Sequence, residues 1–185
     1  MLDEAISLLE KVARGPVHNK LRTIRKELRE AYAKANQTEK LKALALDDLK
    51  IARENLPADS IALANALVLV GTELNKIGEF ETSVEVLRET YEIRKRELPV
   101  LWVTANTQSV LGEAYLGQKK YELAQPLLEQ GFEKLMKQNQ QIPLIYRKVR
   151  LTEAIERLIK LAKETDDSES LSKLKKQRES IVNPK

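Results

Sequence analysis

The sequence predicts an all-α solenoid of stacked antiparallel helix pairs, about nine helices in all. Three observations predict it. Strong helix formers (Leu, Ala, Glu, Lys, Arg) dominate a 185-residue chain with six Gly, six Pro and 4% aromatics. Prolines recur at Pro16, Pro57, Pro99 and Pro143, at spacings of 41, 42 and 44. The residues between them superimpose on themselves at nearly the same intervals.

A shift of 41 places Ala64 on Ala105, Asn65 on Asn106, Gly71 on Gly112, Phe80 on Tyr121, Ser83 on Ala124 and Leu87 on Leu128. A shift of 42 places Leu56-Pro57 on Leu98-Pro99 and Asn36 on Gly78. That last match is chemical. After Gly, Asn best tolerates the left-handed conformation that ends a helix.

The elements follow in order along a single domain, residues 1–185. Residues 1–15, "LDEAISLLEKV" at their centre, read as a second helix without its first, because Ala5, Leu8 and Leu9 match Ala124, Leu127 and Leu128. Residues 16–56, 57–98 and 99–140 form three repeats, and 141–185 a terminal repeat with a capping helix. In the repeat from Pro57, Leu63, Leu67, Val70, Leu74 and Ile77 give the three-and-four spacing of a first helix over Ile61 to Ile77. Gly71 lies among them, where a missing side chain admits the partner helix. Gly78 breaks the chain, and Phe80, Val84, Leu87, Tyr91 and Ile93 form the stripe of a second helix, with small Ser83 at the crossing. Pro99 stops that helix and opens the next unit. From Ser168, Leu171, Leu174, Ile181 and Val182 lie on one side and Lys173, Lys175, Lys176 and Arg178 around the other, as the polar end of a solenoid requires. Truncation near Thr165 is therefore expected to leave a folded, self-associating protein.

The Leu111–Phe132 stretch, "LGEAYLGQKKYELAQPLLEQGF", resembles the tetratricopeptide repeat (TPR): Leu111-Gly112, Tyr115, Tyr121, Ala124, Leu128 and Gly131 fall on that family's signature positions. The unit departs in length, being 41–42 residues where about 34 is usual. The longer unit resembles the kinesin-light-chain type, whose Gly-Pro-Asp-His-Pro linker leaves Gly15, Pro16 and His18 here in "GPVHN". The segment from Trp102 to Ile181 is also similar to tetratricopeptide tails behind serine/threonine kinase domains of planctomycete-type bacteria. The resemblance implies a right-handed α-solenoid whose inner wall is lined by first helices. It further implies a non-catalytic protein–protein interaction module. The alternatives are a regulatory or substrate-recruiting tail of a kinase, and a passive spacer.

Composition excludes several chemistries. There is no cysteine, hence no disulfide framework, zinc-thiolate site or cysteine nucleophile. His18 is the single histidine, so neither a histidine metal cluster nor a histidine relay can form. The sequence contains no kinase Gly-rich loop, His-Arg-Asp or Asp-Phe-Gly, no P-loop and no His-Glu-x-x-His. The expectation is no enzyme activity, no cofactor and no metal. The net charge of +4 arises wholly within residues 141–185, where 11 Lys+Arg face 7 Asp+Glu; residues 1–140 carry 21 of each. A mixed-sign tail without interleaved aromatics argues against nucleic acid. No apolar run of about 18 residues and no secretory leader are found, so the expected location is cytoplasmic, with no membrane contact. End-to-end dimers through the uncovered N-terminal helix are expected.

Candidate contact residues are the first-helix positions left free by the apolar stripe: Asn65, Val68, Thr72, Asn75 and Lys76, then Asn106, Ser109, Glu113 and Leu116. An Asn amide both donates to and accepts from an extended peptide. Asn65 and Asn106 recur in one register and read either as peptide contacts or as groups capping or crossing between units. As contacts, replacing each by Ala would cost about 1 kcal/mol in binding and leave the melting temperature nearly unchanged. Trp102 reads as a staple against the preceding unit or as a ligand contact. Pro126 should bend its helix. Asp47-Asp48 and Asp166-Asp167 read as solvated charge, as does the Arg22, Arg25, Lys26 and Arg29 face.

Overall fold

A computed structural model describes residues 16–183. Eight α-helices follow one another: α1 (Pro16–Lys34), α2 (Thr38–Asn55), α3 (Ile61–Ile77), α4 (Phe80–Glu97), α5 (Trp102–Gly117), α6 (Tyr121–Lys137), α7 (Leu144–Glu164) and α8 (Ser168–Val182). A 3₁₀ turn, Asn139–Gln141, precedes α7, and no strand occurs among the described residues. The expected helix over 1–15, the dimer edge on it and the side chains of His18 and Arg22 lie outside the described residues. Contacts divide the chain into two compact units, with the division between Leu46 and Asp47.

In the first unit, Leu28 is buried against Ile24, Tyr32 and Leu44. Arg25, expected on a solvated face, is instead buried and donates from Nη2 to the Leu44 carbonyl at 3.3 Å. Its long aliphatic stem lets it join an apolar face while the guanidinium finds a carbonyl. Lys26 keeps a solvated i,i+4 pair with Glu30 at 3.8 Å.

In the second unit, α3 packs on α4, α5 on α6 and α7 on α8, while α4 also packs on α5 and α6 on α7. First helices touch one another, α3 with α5 and α5 with α7. The crossings are set by small residues. A Cβ on Gly71 would lie 2.5 Å from Leu87 Cγ, and one on Gly112 would lie 2.8 Å from Leu128 Cγ. Leu87 and Leu128 are both fully buried, so each fills the space its glycine leaves. Ser83, also fully buried, shares its one hydroxyl proton between two acceptors on α3, the Gly71 carbonyl at 2.8 Å and Asn75 Oδ1 at 2.6 Å, and so fixes the α3–α4 crossing.

One turn type joins first to second helix four times. Asn36, Gly78, Lys119 and Asp166 adopt φ of 54°, 83°, 58° and 55°. In each turn the next residue donates to a carbonyl five back: Gln37 to Tyr32, Glu79 to Leu74, Lys120 to Tyr115 and Asp167 to Ala162, each at 2.9 Å. This is the Schellman closure, which satisfies helix-end carbonyls. The match of Asn36 to Gly78 is therefore conformational. In the next repeat the left-handed residue is Lys119, while Gly117 remains helical and makes room for the Phe80 ring.

Pro126 is exposed within a continuous α6. Leu171, Leu174 and Ile181 of α8 pack half-buried on a cluster containing Leu151, Ile155 and Leu158. No residue of α8 is fully buried, and its outer side carries the Lys173–Glu169 pair.

Candidate partner-binding surface

The first helices of the second unit present a polar layer whose groups are mostly engaged with one another. Asn75 is buried; its Nδ2 donates to the Val110 carbonyl at 3.1 Å and to Glu113 Oε2 at 3.5 Å, while its Oδ1 accepts from Ser83 at 2.6 Å. Glu113 Oε2 also accepts from Arg157 Nε at 2.8 Å, and Arg157 Nη1 donates to Ser109 Oγ at 3.3 Å. Side chains of α3, α4, α5 and α7 are thus joined in one chain of hydrogen bonds. Arg157 is the counterpart of Glu113 at the proline spacing of 44, so this ion pair links like positions of adjacent repeats.

A second constellation centres on Arg94. Its side chain lies in the buried stripe of α4, with Leu87 and Thr90, and has no carboxylate partner among the described residues. Nη1 donates to the Val103 carbonyl at 3.1 Å and to Thr107 Oγ1 at 2.7 Å; Nη2 donates to Asn65 Oδ1 at 2.7 Å; Nε has no partner. Burial lowers its pKa to about 10, because removing the cation from water disfavours the charged form.

These contacts sort the nine candidate positions. Asn65 and Lys76 are exposed, with Lys76 paired to Glu73 at 2.8 Å. Val68, Thr72 and Glu113 are half-buried: Val68 packs on the cluster of Leu87, Val110, Leu111 and Ala114, and Thr72 donates to the Val68 carbonyl at 2.7 Å. Asn75 and Asn106 are buried, and Ser109 and Leu116 are fully so, leaving those two no area to offer a ligand. The helical face between stripe and wall is narrower than the sequence spacing suggests, because α3, α5 and α7 also press on one another.

Asn65 and Asn106 share a register but not a role. Asn65 orients its amide by accepting from Arg94, which leaves its Nδ2 on the exposed side chain. Asn106 is 8% exposed, and its Oδ1 has no hydrogen-bond partner. The difference traces to one position: the repeat counterpart of Arg94 is Leu135, fully buried and without a donor. Because Arg94 depends on Asn65, the sequence-level picture of Asn65 as removable without loss of stability does not fit its contacts.

Arg94, Arg157 and the burial of Asn75 are what sequence reasoning missed. A signal existed for Arg94, which falls seven residues after Leu87 on the apolar stripe. Trp102 joins the core cluster of its own and the following repeat and stacks on Tyr146, with ring centroids 6.3 Å apart, so these contacts tie it to the following unit where the expected staple was to the preceding one. The Asp166-Asp167 pair has a structural use: Asp166 takes the left-handed turn, and Asp167 Oδ1 accepts from Ser170 N at 2.9 Å to cap α8. The Ser170 hydroxyl, and then this N–H, hold the Asp167 carboxyl below its ordinary range.

Away from this layer, a recess is lined by Phe80, Leu116, Gly117, Lys119, Tyr121, Lys160 and Glu164. There burial, and then the Glu164 carboxylate, push the Tyr121 phenol up. Among the described residues no three His, Asp or Glu side chains converge as metal ligands, and no helix is long and apolar enough to cross a membrane.

No family model and no curated protein matches the chain. Solved structures do. A Podosopora anserina protein assigned as a kinesin light chain, with nearly identical TPR-like repeats, is 17% identical with a TM-score of 0.63, over 97% of this chain and 83% of that one. A substituted form of that protein is also 17% identical, with a TM-score of 0.66, over 97% of this chain and 82% of that one. At this identity the likeness is one of fold: an all-α, TPR-like solenoid.

Proposed function

We propose that the chain is a non-catalytic protein-interaction module that takes an extended segment of a partner along its layer of first helices. The TPR-like fold supports a protein partner in general. Asn106 carries the finer reading. An acceptor removed from water without a donor costs about 1–3 kcal/mol, a cost its counterpart Asn65 does not carry, being exposed and accepting from Arg94. A backbone N–H of a bound segment would supply what Asn106 lacks once its side chain, 8% exposed in the unbound protein, turns toward the segment. Asn65 Nδ2, held in register by Arg94, would donate to a carbonyl of the same segment. Lys76 and Glu113 carry opposite charges on this layer, which favours a mixed polar segment over a purely anionic one, with modest salt dependence.

Replacing Asn106 by Leu tests this reading. Peptides selected from a random display library on the intact protein should bind Asn106→Leu at least about tenfold more weakly, the equivalent of one lost hydrogen bond. The variant's melting temperature should rise, because the orphaned acceptor is gone. Unchanged affinity together with a lower melting temperature would show Asn106 to be a packing residue and remove the reading.

A further inference from the structure

Aligned on their prolines, three repeats begin very differently. The first of them reads Leu56-Pro57-Ala58-Asp59-Ser60; the next reads Leu98-Pro99-Val100-Leu101-Trp102, and the last Ile142-Pro143-Leu144-Ile145-Tyr146. In the first, Ser60 caps α3 by accepting from Leu63 N at 3.0 Å. Neither α5 nor α7 has a side-chain cap, although a good cap stabilises a helix by about 1 kcal/mol. In place of capping residues these two starts carry large apolar side chains in the open. Leu144 is 80% exposed, Ile145 77% and Val100 72%, with Leu101, Tyr146 and Val149 also exposed. The Trp102–Tyr146 stack joins the two starts into one surface. A contiguous apolar surface of this kind on a folded chain marks an interaction site.

Its charge says what it fits. Residues 143–150 contain Arg147, Lys148 and Arg150 and no acid, and residues 98–108 contain no charged side chain. Cations here lie in the first two turns of α7, where the helix dipole is already positive and a carboxylate is the stabilising group. Arg150 is paired with Glu153 at 2.7 Å, but among the described residues Arg147 donates only to the backbone carbonyls of Gln140 and Ile142. Lys148 is exposed and has no carboxylate partner among the described residues. An apolar ledge with two unneutralised cations complements a segment that carries both apolar and acidic side chains.

We infer that the exposed starts of α5 and α7 form a second docking surface, separate from the first-helix layer, for an amphipathic protein segment whose apolar residues are interleaved with Asp or Glu. Val100, Leu144 and Ile145 receive the apolar side chains; Arg147 and Lys148 receive the carboxylates. A protein segment fits better than an anionic lipid surface, since recognition of such lipids rests on clusters of about four to eight cations.

The test uses the intact protein and fluorescein-labelled synthetic peptides that alternate Leu, Ile or Phe with Asp or Glu, set against the same peptides with Lys for each acid. Polarisation should report binding of the acidic set alone. Ile145→Asp and Lys148→Glu, both at exposed positions, should each weaken it about tenfold or more with helical circular dichroism intact, while Asn106→Leu should leave it unchanged. Equal binding of the Lys set, or acidic binding that survives Ile145→Asp, overturns the inference. Loss through Asn106→Leu alone would assign the peptides to the first-helix layer and also overturn it. Uptake on phosphatidylserine vesicles, or a dimer in sedimentation, that Ile145→Asp abolishes would make the surface a lipid or self-contact and likewise overturn it.

Discussion

Arg94 of α4 reaches Asn65 of α3 at 2.7 Å, and this neutral amide, not a carboxylate, takes a share of a buried positive charge. Because the folded pKa, about 10, lies below the unfolded one, the native state holds fewer protons only above about pH 10. The cost of burying the charge is therefore undiminished at neutral pH.

Asn65→Ala should lower stability by about 1–2 kcal/mol, because a buried cationic donor loses its acceptor. Asn65→Asp should raise it by about 1 kcal/mol at pH 7, since an exposed position can hold a carboxylate against Arg94 at little desolvation cost. That carboxylate's pKa would be depressed in the folded state, so the gain is present above the ordinary Asp range and lost as pH falls through the depressed value. Urea denaturation at pH 7 and pH 3 measures both. A gain that persists at pH 3 would contradict the pairing.

Gly71→Ala should destabilise by about 1–3 kcal/mol, the usual cost of overpacking. Its Cβ meets Leu87 at 2.5 Å, and Leu87 is fully buried with nowhere to move. Combining it with Leu87→Ala should recover part of the loss, which a double-mutant cycle would read as a coupling. Additive losses would show that Gly71 does not set the crossing.

Lys119 should be a site of easy stabilisation. It holds φ of 58° without being glycine, whereas Gly78 holds 83° in the equivalent turn with open space around it. Lys119→Gly should raise stability by about 0.5–1 kcal/mol and Gly78→Ala should lower it by a similar amount, opposite signs at one register position. Thermal denaturation of the two variants decides.

Asp167 should make the α8 end sensitive to acid. The Ser170 hydrogen bonds hold its carboxyl below the ordinary range, so its contribution is present above that range and lost as pH falls through the depressed value. Hydrogen exchange at the α8 amides should quicken on acidification. In Asp167→Asn, which caps at every pH, that acceleration should be absent.

Helix pairing, the order of elements and the glycine crossings were legible because each rests on a periodicity one strand of sequence can carry. Leu63, Leu67, Val70 and Leu74 recur at helical spacing, Gly71 recurs as Gly112, and Asn36 stands where Gly78 stands. Those patterns sufficed for α3 to begin at Ile61 and end at Ile77. The repeat comparison also matched Asn65 to Asn106, and the two do share a register. It could not reveal that one is tied to Arg94 and the other left without a donor, since that depends on which residue of a neighbouring helix, Arg94 or Leu135, lies opposite. The same holds for Asn75, Ser109, Glu113 and Arg157, which only the contact of first helices across repeats brings into one network. Burial along a helix follows from its own period. The fate of a polar group also depends on partners as far as 29 or 48 residues away, as for Asn65 with Arg94 and Ser109 with Arg157, and packing alone selects them.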